Sequence, residues 1–146
     1  MPLEQLHFLL VEDDDDHAAL VQRCFDRSKL GNTLDRVVDG VEALAYLRKE
    51  GRYAQNQRPG AVLLDLNLPK LNGHEVLKAI KSDPSLARIP VVILSTSAAE
   101  VDRARAYSAH ANSYLVKPVD FDEFMKLVDE LNSYWGEWNV ADSAKS

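Results

Sequence analysis

The chain has little cysteine. Cys24 is the single one in 146 residues, so no internal disulfide can form and a reducing compartment fits. It is short of basic charge, with 17 Lys and Arg against 23 Asp and Glu and a net charge of −6. Nonspecific nucleic-acid binding needs a basic face, and this balance argues against it. No apolar run approaches the ~18 residues of a membrane span. The N-terminus MPLEQLHFLL lacks a basic segment ahead of a long apolar core, so no signal peptide is visible and the cytoplasm is the expected location. There is no Gly-rich phosphate loop, which argues against a nucleotide site. Repeats, low-complexity tracts and long linkers are also missing, and the length suits one domain.

Present instead are short apolar runs, each followed by a helical pattern. Strands are expected at His7–Val11, Thr33–Val38, Ala61–Leu64, Val91–Leu94 and Ser113–Val116. Between them, Leu20, Val21, Cys24 and Phe25 stripe a first helix over Ala18–Leu30, with Gly31 as its stop. Val41, Leu44, Ala45 and Leu47 stripe a second helix, and Val76, Leu77 and Ile80 a third that ends before Pro84. A fourth spans roughly Ala98 to Ala109. Asp120 and Glu123 form a capping box ahead of Phe124, Met125, Val128 and Leu131 in the last. Strands bounded by turns and alternating with helices read as an α/β fold with a parallel sheet buried on both faces.

The run LLVEDDDD raises the main question. Like charges at contact distance repel, by several kcal/mol near a protein surface. Ligands in open α/β sheets bind at the carboxyl ends of the strands. Glu12 and Asp13 follow the first strand, Asp65 the third, Ser95 and Thr96 the fourth, and Lys117 and Pro118 the fifth. Three carboxylates on one rim suit Mg²⁺, which takes a few carboxylates and keeps several waters. A carboxylate beside that metal is a nucleophile toward a phosphoryl group, while the metal and a lysine neutralise the transferring oxygens. Asp15 and Asp16 read as the solvated start of a helix, one of them as its cap, and Asp14 is left undecided, its charge close enough to the site to tune metal affinity.

LLVEDD, LLDLNLPKLNG, VVILSTS and YLVKPVD resemble, in order and spacing, the receiver domain of two-component response regulators, from about Leu6 to Leu131. The resemblance implies a flavodoxin-like (βα)5 sandwich with strand order 2-1-3-4-5. It implies Asp65 as phosphoacceptor, Asp13 as a direct Mg²⁺ (or Mn²⁺) ligand, Glu12 reaching the metal through water, and Asn67 giving its backbone carbonyl. Ser95 matches the switch hydroxyl, Lys117 the phosphate-binding lysine, Tyr114 the rotating aromatic, and Lys117-Pro118 a cis peptide. Asn67 and Ser97 sit where phosphoryl loss is tuned. Glu at position 12 and Ser at 95 depart from the commoner Asp and Thr.

EGRYAQNQRPG, STSAAE and YWGEW are similar to the single-domain regulators paired with bacterial phytochrome histidine kinases. That likeness implies a sensor histidine kinase as partner and a homodimer through the last helix and its neighbouring surface; no output domain, nucleic acid or membrane partner is expected from the sequence. The receiver is expected over 1–134, with a tail at 135–146. A phosphorylation-independent binding module is the alternative, and a small Asp-nucleophile phosphatase a further one, disfavoured because Asn67 stands where such enzymes carry a second Asp. Cys24 reads as core, His7, His17, His74 and His110 as ordinary, and Tyr134, Trp135 and Trp138 as an interface.

Overall fold

A computed structural model of the chain describes residues 6–28, 31–96, 99, 102–103 and 113–131. The strands are β1 (His7–Val11), β2 (Thr33–Val37), β3 (Ala61–Asp65), β4 (Val91–Ser95) and β5 (Ser113–Val116). The helices are α1 (Asp15–Ser28), α2 (Gly40–Leu47) and α3 (Gly73–Ser82), and residues 121–131 are also helical. All four strand pairings are parallel, in the order β2-β1-β3-β4-β5. The sheet is entered at β1, one strand in from an edge; the chain fills that edge with β2, then crosses back over β1 to β3 and on to β5 at the far edge. The point where that direction reverses lies between β1 and β3.

Alternation along the strands divides the core. Leu9 and Val11, Val62 and Leu64, and Val91 and Ile93 face α2 and α3. Phe8 and Leu10, Ala61 and Leu63, and Val92 and Leu94 face α1 and the 121–131 helix. Phe25 bridges Phe8 and Phe124, with ring centroids 5.0 and 4.9 Å away. These residues need no polar partner, and the central strands β1, β3 and β4 are covered on both faces, whereas the edge strands β2 and β5 keep exposed positions, Asp35 and Arg36 on one and Tyr114 and Val116 on the other.

Several helix details differ from the sequence reading. α1 begins at Asp15 rather than Ala18, and its cap is Asp14. The Asp14 carboxylate accepts from the backbone N–H of Asp16 (2.9 Å) and of His17 (3.3 Å), and its carbonyl takes the first intrahelical bond, from Ala18. Asp15 is turned outward and pairs with Arg36 at 2.9 Å. In α2, Val41 is exposed, while Ala43 and Tyr46 are buried with Leu44 and Leu47. Tyr46 tolerates burial because its hydroxyl bonds Asp35 at 2.6 Å and His7 at 2.8 Å. The EGRYAQNQRPG connection holds a short 3-10 turn, Gly51–Tyr53. Asp120 accepts from the Glu123 N–H at 3.2 Å, as its capping box requires. Most of the fourth helix, together with Ser97, His110, Tyr134, Trp135, Trp138 and the 135–146 tail, lies outside the described residues.

Candidate functional site

Strand register assembles the rim. Val11 pairs with Leu64, so Glu12 comes abreast of Asp65. Asp65 pairs with Leu94, which puts Ser95 just beyond it. Ser95 pairs with Val116, and the Lys117 N–H donates to the Ser95 carbonyl at 2.7 Å. Gly73 opens α3 directly beneath this edge. A Cβ there would lie 2.4 Å from the Asp65 carbonyl oxygen and 2.5 Å from Leu66 Cα, so only glycine lets the helix approach so closely. The Lys117-Pro118 peptide is cis.

Glu12 and Asp65 are buried, at 0% and 2% exposure, while Asp13 is exposed. One oxygen from each of the three carboxyls lies within 4.8 Å of the others. This hard, oxygen-only donor set with an open side fits a divalent cation such as Mg²⁺ or Mn²⁺. The Lys117 ammonium reaches between two of them, 2.8 Å from Glu12 Oε1 and 3.0 Å from Asp65 Oδ2. Asp65 Oδ1 accepts from the Asn67 N–H at 3.0 Å. Ser95 is fully buried beside this group, and Tyr114 stands on β5 with its side chain half exposed.

The two buried carboxyls titrate apart. Burial, and then a hydrogen bond shared with Glu12, push Asp65 up to about 6, against the pull of the Asn67 N–H and Lys117. Burial also opposes ionisation of Glu12, but hydrogen bonds from His17, Asp65 and Lys117 outweigh it and hold that carboxyl low. Lys117 likewise stays charged: its two carboxylate partners overcome the cost of burial. Without metal, Asp65 therefore holds a proton shared with Glu12 below about pH 6, a proton that would compete with a cation for the same oxygens.

His17 is the residue that sequence reasoning missed. It is buried, and its Nδ1 hydrogen-bonds Glu12 Oε1. Its spacing from Glu12 matches no metal-ligand motif. The only sequence signal was a histidine among the core-facing positions of α1, on the same side as Val21 and Cys24.

Comparisons with known proteins agree with this architecture. The profile of the response regulator receiver domain matches residues 8–129. The chain is 48% identical over 132 residues to the probable methanogenesis regulatory protein FilR2 of Methanothrix harundinacea, covering 90% of this chain and 84% of that one. It is 43% identical over 129 residues to the response regulator Rcp1 of Synechocystis, covering 88% of each chain. A Mn²⁺-bound crystal structure of Rcp1 superposes with a TM-score of 0.73 at 42% identity, covering 89% of this chain and 94% of that one. The phosphorylated cyanobacterial phytochrome response regulator RcpA gives a TM-score of 0.75 at 44% identity, covering 90% and 94%. With a five-stranded sheet in the order 2-1-3-4-5, an acidic rim at its carboxyl edge and a profile match over most of its length, the chain belongs to the response regulator receiver domain family.

Proposed function

We propose that this receiver is a phosphorylation switch with Asp65 as its acceptor, served by a sensor histidine kinase of the phytochrome type. The observation that carries the reading is the placement of Asp65: buried at the sheet edge, 3.0 Å from the Lys117 ammonium, with Glu12 and Asp13 within reach of one shared cation. The similarity to RcpA, a phosphorylated phytochrome response regulator, supports the kinase type. Similarity to the Mn²⁺-bound Rcp1 supports the metal, with Mg²⁺ proposed as the resident ion.

In the reaction, an Asp65 carboxylate oxygen attacks the phosphorus of a phosphohistidine on the partner. The P–N bond breaks, the P–O bond forms, and the leaving imidazole takes up a proton. Glu12, Asp13, Asp65 and the Asn67 carbonyl would hold the cation, which neutralises charge on the phosphoryl oxygens. The Asn67 N–H holds Asp65 Oδ1 and so orients the nucleophile. Lys117 moves its ammonium from the carboxylates to the phosphoryl oxygens. The Ser95 hydroxyl hydrogen-bonds the product, and Tyr114 turns in behind it. The switch is a population shift, driven by whatever the acyl phosphate contacts in only one of the two states. Slow hydrolysis of the acyl phosphate resets it.

The receiver unit is taken as 1–134, acting in the cytoplasm as a homodimer through the last helix and its aromatic end. Sedimentation of Trp138→Ala beside wild type tests the dimer, and equal mass for both at dimer-forming concentration removes Trp138 from it. The function is tested by intact mass after incubation with acetyl phosphate, with and without Mg²⁺, for wild type and Asp65→Asn. One phosphoryl adduct is expected on wild type with Mg²⁺ and on neither protein without it. A folded wild type that takes no adduct would favour a phosphorylation-independent binding module.

A further inference from the structure

His17 has a feature that packing does not explain. Its ring is 7% exposed and its Nε2 has no hydrogen-bond partner among the described residues. An apolar residue of similar size would fill the same space without leaving a buried nitrogen unpaired, which is ordinarily destabilising. What histidine adds is the Nδ1 contact to Glu12 Oε1. That bond is available in either ring protonation state, because Nδ1–H donates in the neutral tautomer and in the cation alike.

Glu12 needs such a contact. It is one methylene longer than aspartate, with one more torsion to fix, and it is fully buried. Oε1 already accepts from Lys117 at 2.8 Å, yet that ammonium also serves Asp65. Once Lys117 swings to a phosphoryl group, His17 is the donor left holding Oε1. Of the two oxygens Oε2 is the less engaged, with a long contact of 3.4 Å from the Asp14 N–H, and the hydrogen bond that Glu12 shares with Asp65 is lost once Asp65 ionises. Asp14 completes the arrangement: by capping α1 through the His17 N–H, it phases the helix so that His17 faces inward.

We propose that His17 is a positioning residue for the cation site, anchoring Glu12 through Nδ1–H so that its free carboxylate oxygen is aimed at the metal. The proposal rests on the receiver reading above and adds a determinant of its metal affinity. Removing a group that orients a metal ligand costs about 10- to 100-fold in affinity.

The test is titration calorimetry of the full chain with Mg²⁺ alone, for wild type, His17→Leu and His17→Asn. Acetyl phosphate labelling rates against Mg²⁺ concentration follow for each. His17→Leu is expected to raise the Mg²⁺ Kd and the half-saturating Mg²⁺ together by about tenfold or more, with a much smaller change in the saturated rate. Asn keeps an N–H near the Nδ1 position and should recover most of the affinity. An unchanged Kd in His17→Leu overturns the proposal, and so does equal weakening in Asn and Leu. Should Leu fail to fold, the ¹⁵N shifts of the wild-type ring decide: a neutral Nε2–H tautomer overturns the anchor, and Nδ1–H sustains it. Wild type that binds Mg²⁺ but takes no label would sink the phosphoacceptor reading and leave the anchor standing. Wild type that does both while His17→Leu binds normally would sink the anchor alone.

Discussion

Asp65→Asn should stabilise the metal-free protein at alkaline pH and leave it almost unchanged at acid pH. Folding raises the Asp65 pKa from an ordinary 3.8 to about 6. Between about pH 4 and pH 6 the native state therefore keeps a proton that the unfolded chain has lost. Stability changes with pH in proportion to protons bound by the unfolded state minus those bound by the native state, which here is negative. The Asp65 contribution thus falls as pH rises through that window, and the deficit is complete above about 6. A gap of about two pH units corresponds to about 3 kcal/mol. Asn keeps an acceptor for the Asn67 N–H but weakens the contact with Lys117, so the net gain at pH 8 should be about 1–2 kcal/mol. For a chain of this size that is about 3–8 °C in Tm. Thermal melts of both proteins in chelator at pH 4.5 and pH 8 read this directly, and saturating Mg²⁺ at pH 8 should raise wild type far more than the variant. A variant less stable than wild type at pH 8, or an equal gain at both pH values, would refute burial of the Asp65 charge as the cause.

Other outcomes follow from particular contacts. Gly73→Ala forces a Cβ against the backbone of Asp65 and Leu66, which cannot yield as a side-chain end would. It should cost about 1–3 kcal/mol in urea unfolding and slow labelling of Asp65; full stability with normal labelling would contradict the close approach. Mg²⁺ affinity should fall as pH drops below about 6, because a proton then competes for Asp65; a Kd flat from pH 8 to pH 5 would count against the shared-proton pair. Tyr46→Phe removes the hydroxyl between His7 and Asp35, whose side chains are 20% and 51% exposed and so can turn to water. The loss should be about 1 kcal/mol, and one above about 3 would mean the network is tighter than its exposure implies.

The fold was readable because the central strands β1, β3 and β4 are buried on both faces and appear as nearly unbroken apolar runs, and the right-handed crossovers that parallel strands take leave few topologies. That the candidate residues meet on one rim was readable for a related reason: each run stops at a polar residue, and parallel strands bring their carboxyl ends to one edge. Register then puts Glu12, Asp65, Ser95 and Lys117 together. What depends on local dihedrals was not readable. Four successive aspartates have the same chemistry, and only the backbone bend selects Asp14 as the cap over Asp15 or Asp16. Val41 and Tyr46 exchanged places in the α2 stripe because a tyrosine whose ring is buried while its hydroxyl keeps two partners outweighs a valine at an exposed first turn. His17 escaped because its partner is a carboxylate across a strand-to-helix turn, a contact that sequence spacing does not reveal.

The central claim is that the phosphoryl group resides on Asp65 and nowhere else. Borohydride reduction of the acetyl phosphate-treated protein, followed by peptide sequencing in a mass spectrometer, converts an aspartyl phosphate to homoserine and names its position. Homoserine at position 65, appearing only when Mg²⁺ is present, is the expected result. Homoserine at Glu12's neighbour Asp13 or at any other aspartate, or none in protein shown to carry a phosphoryl group, would contradict it.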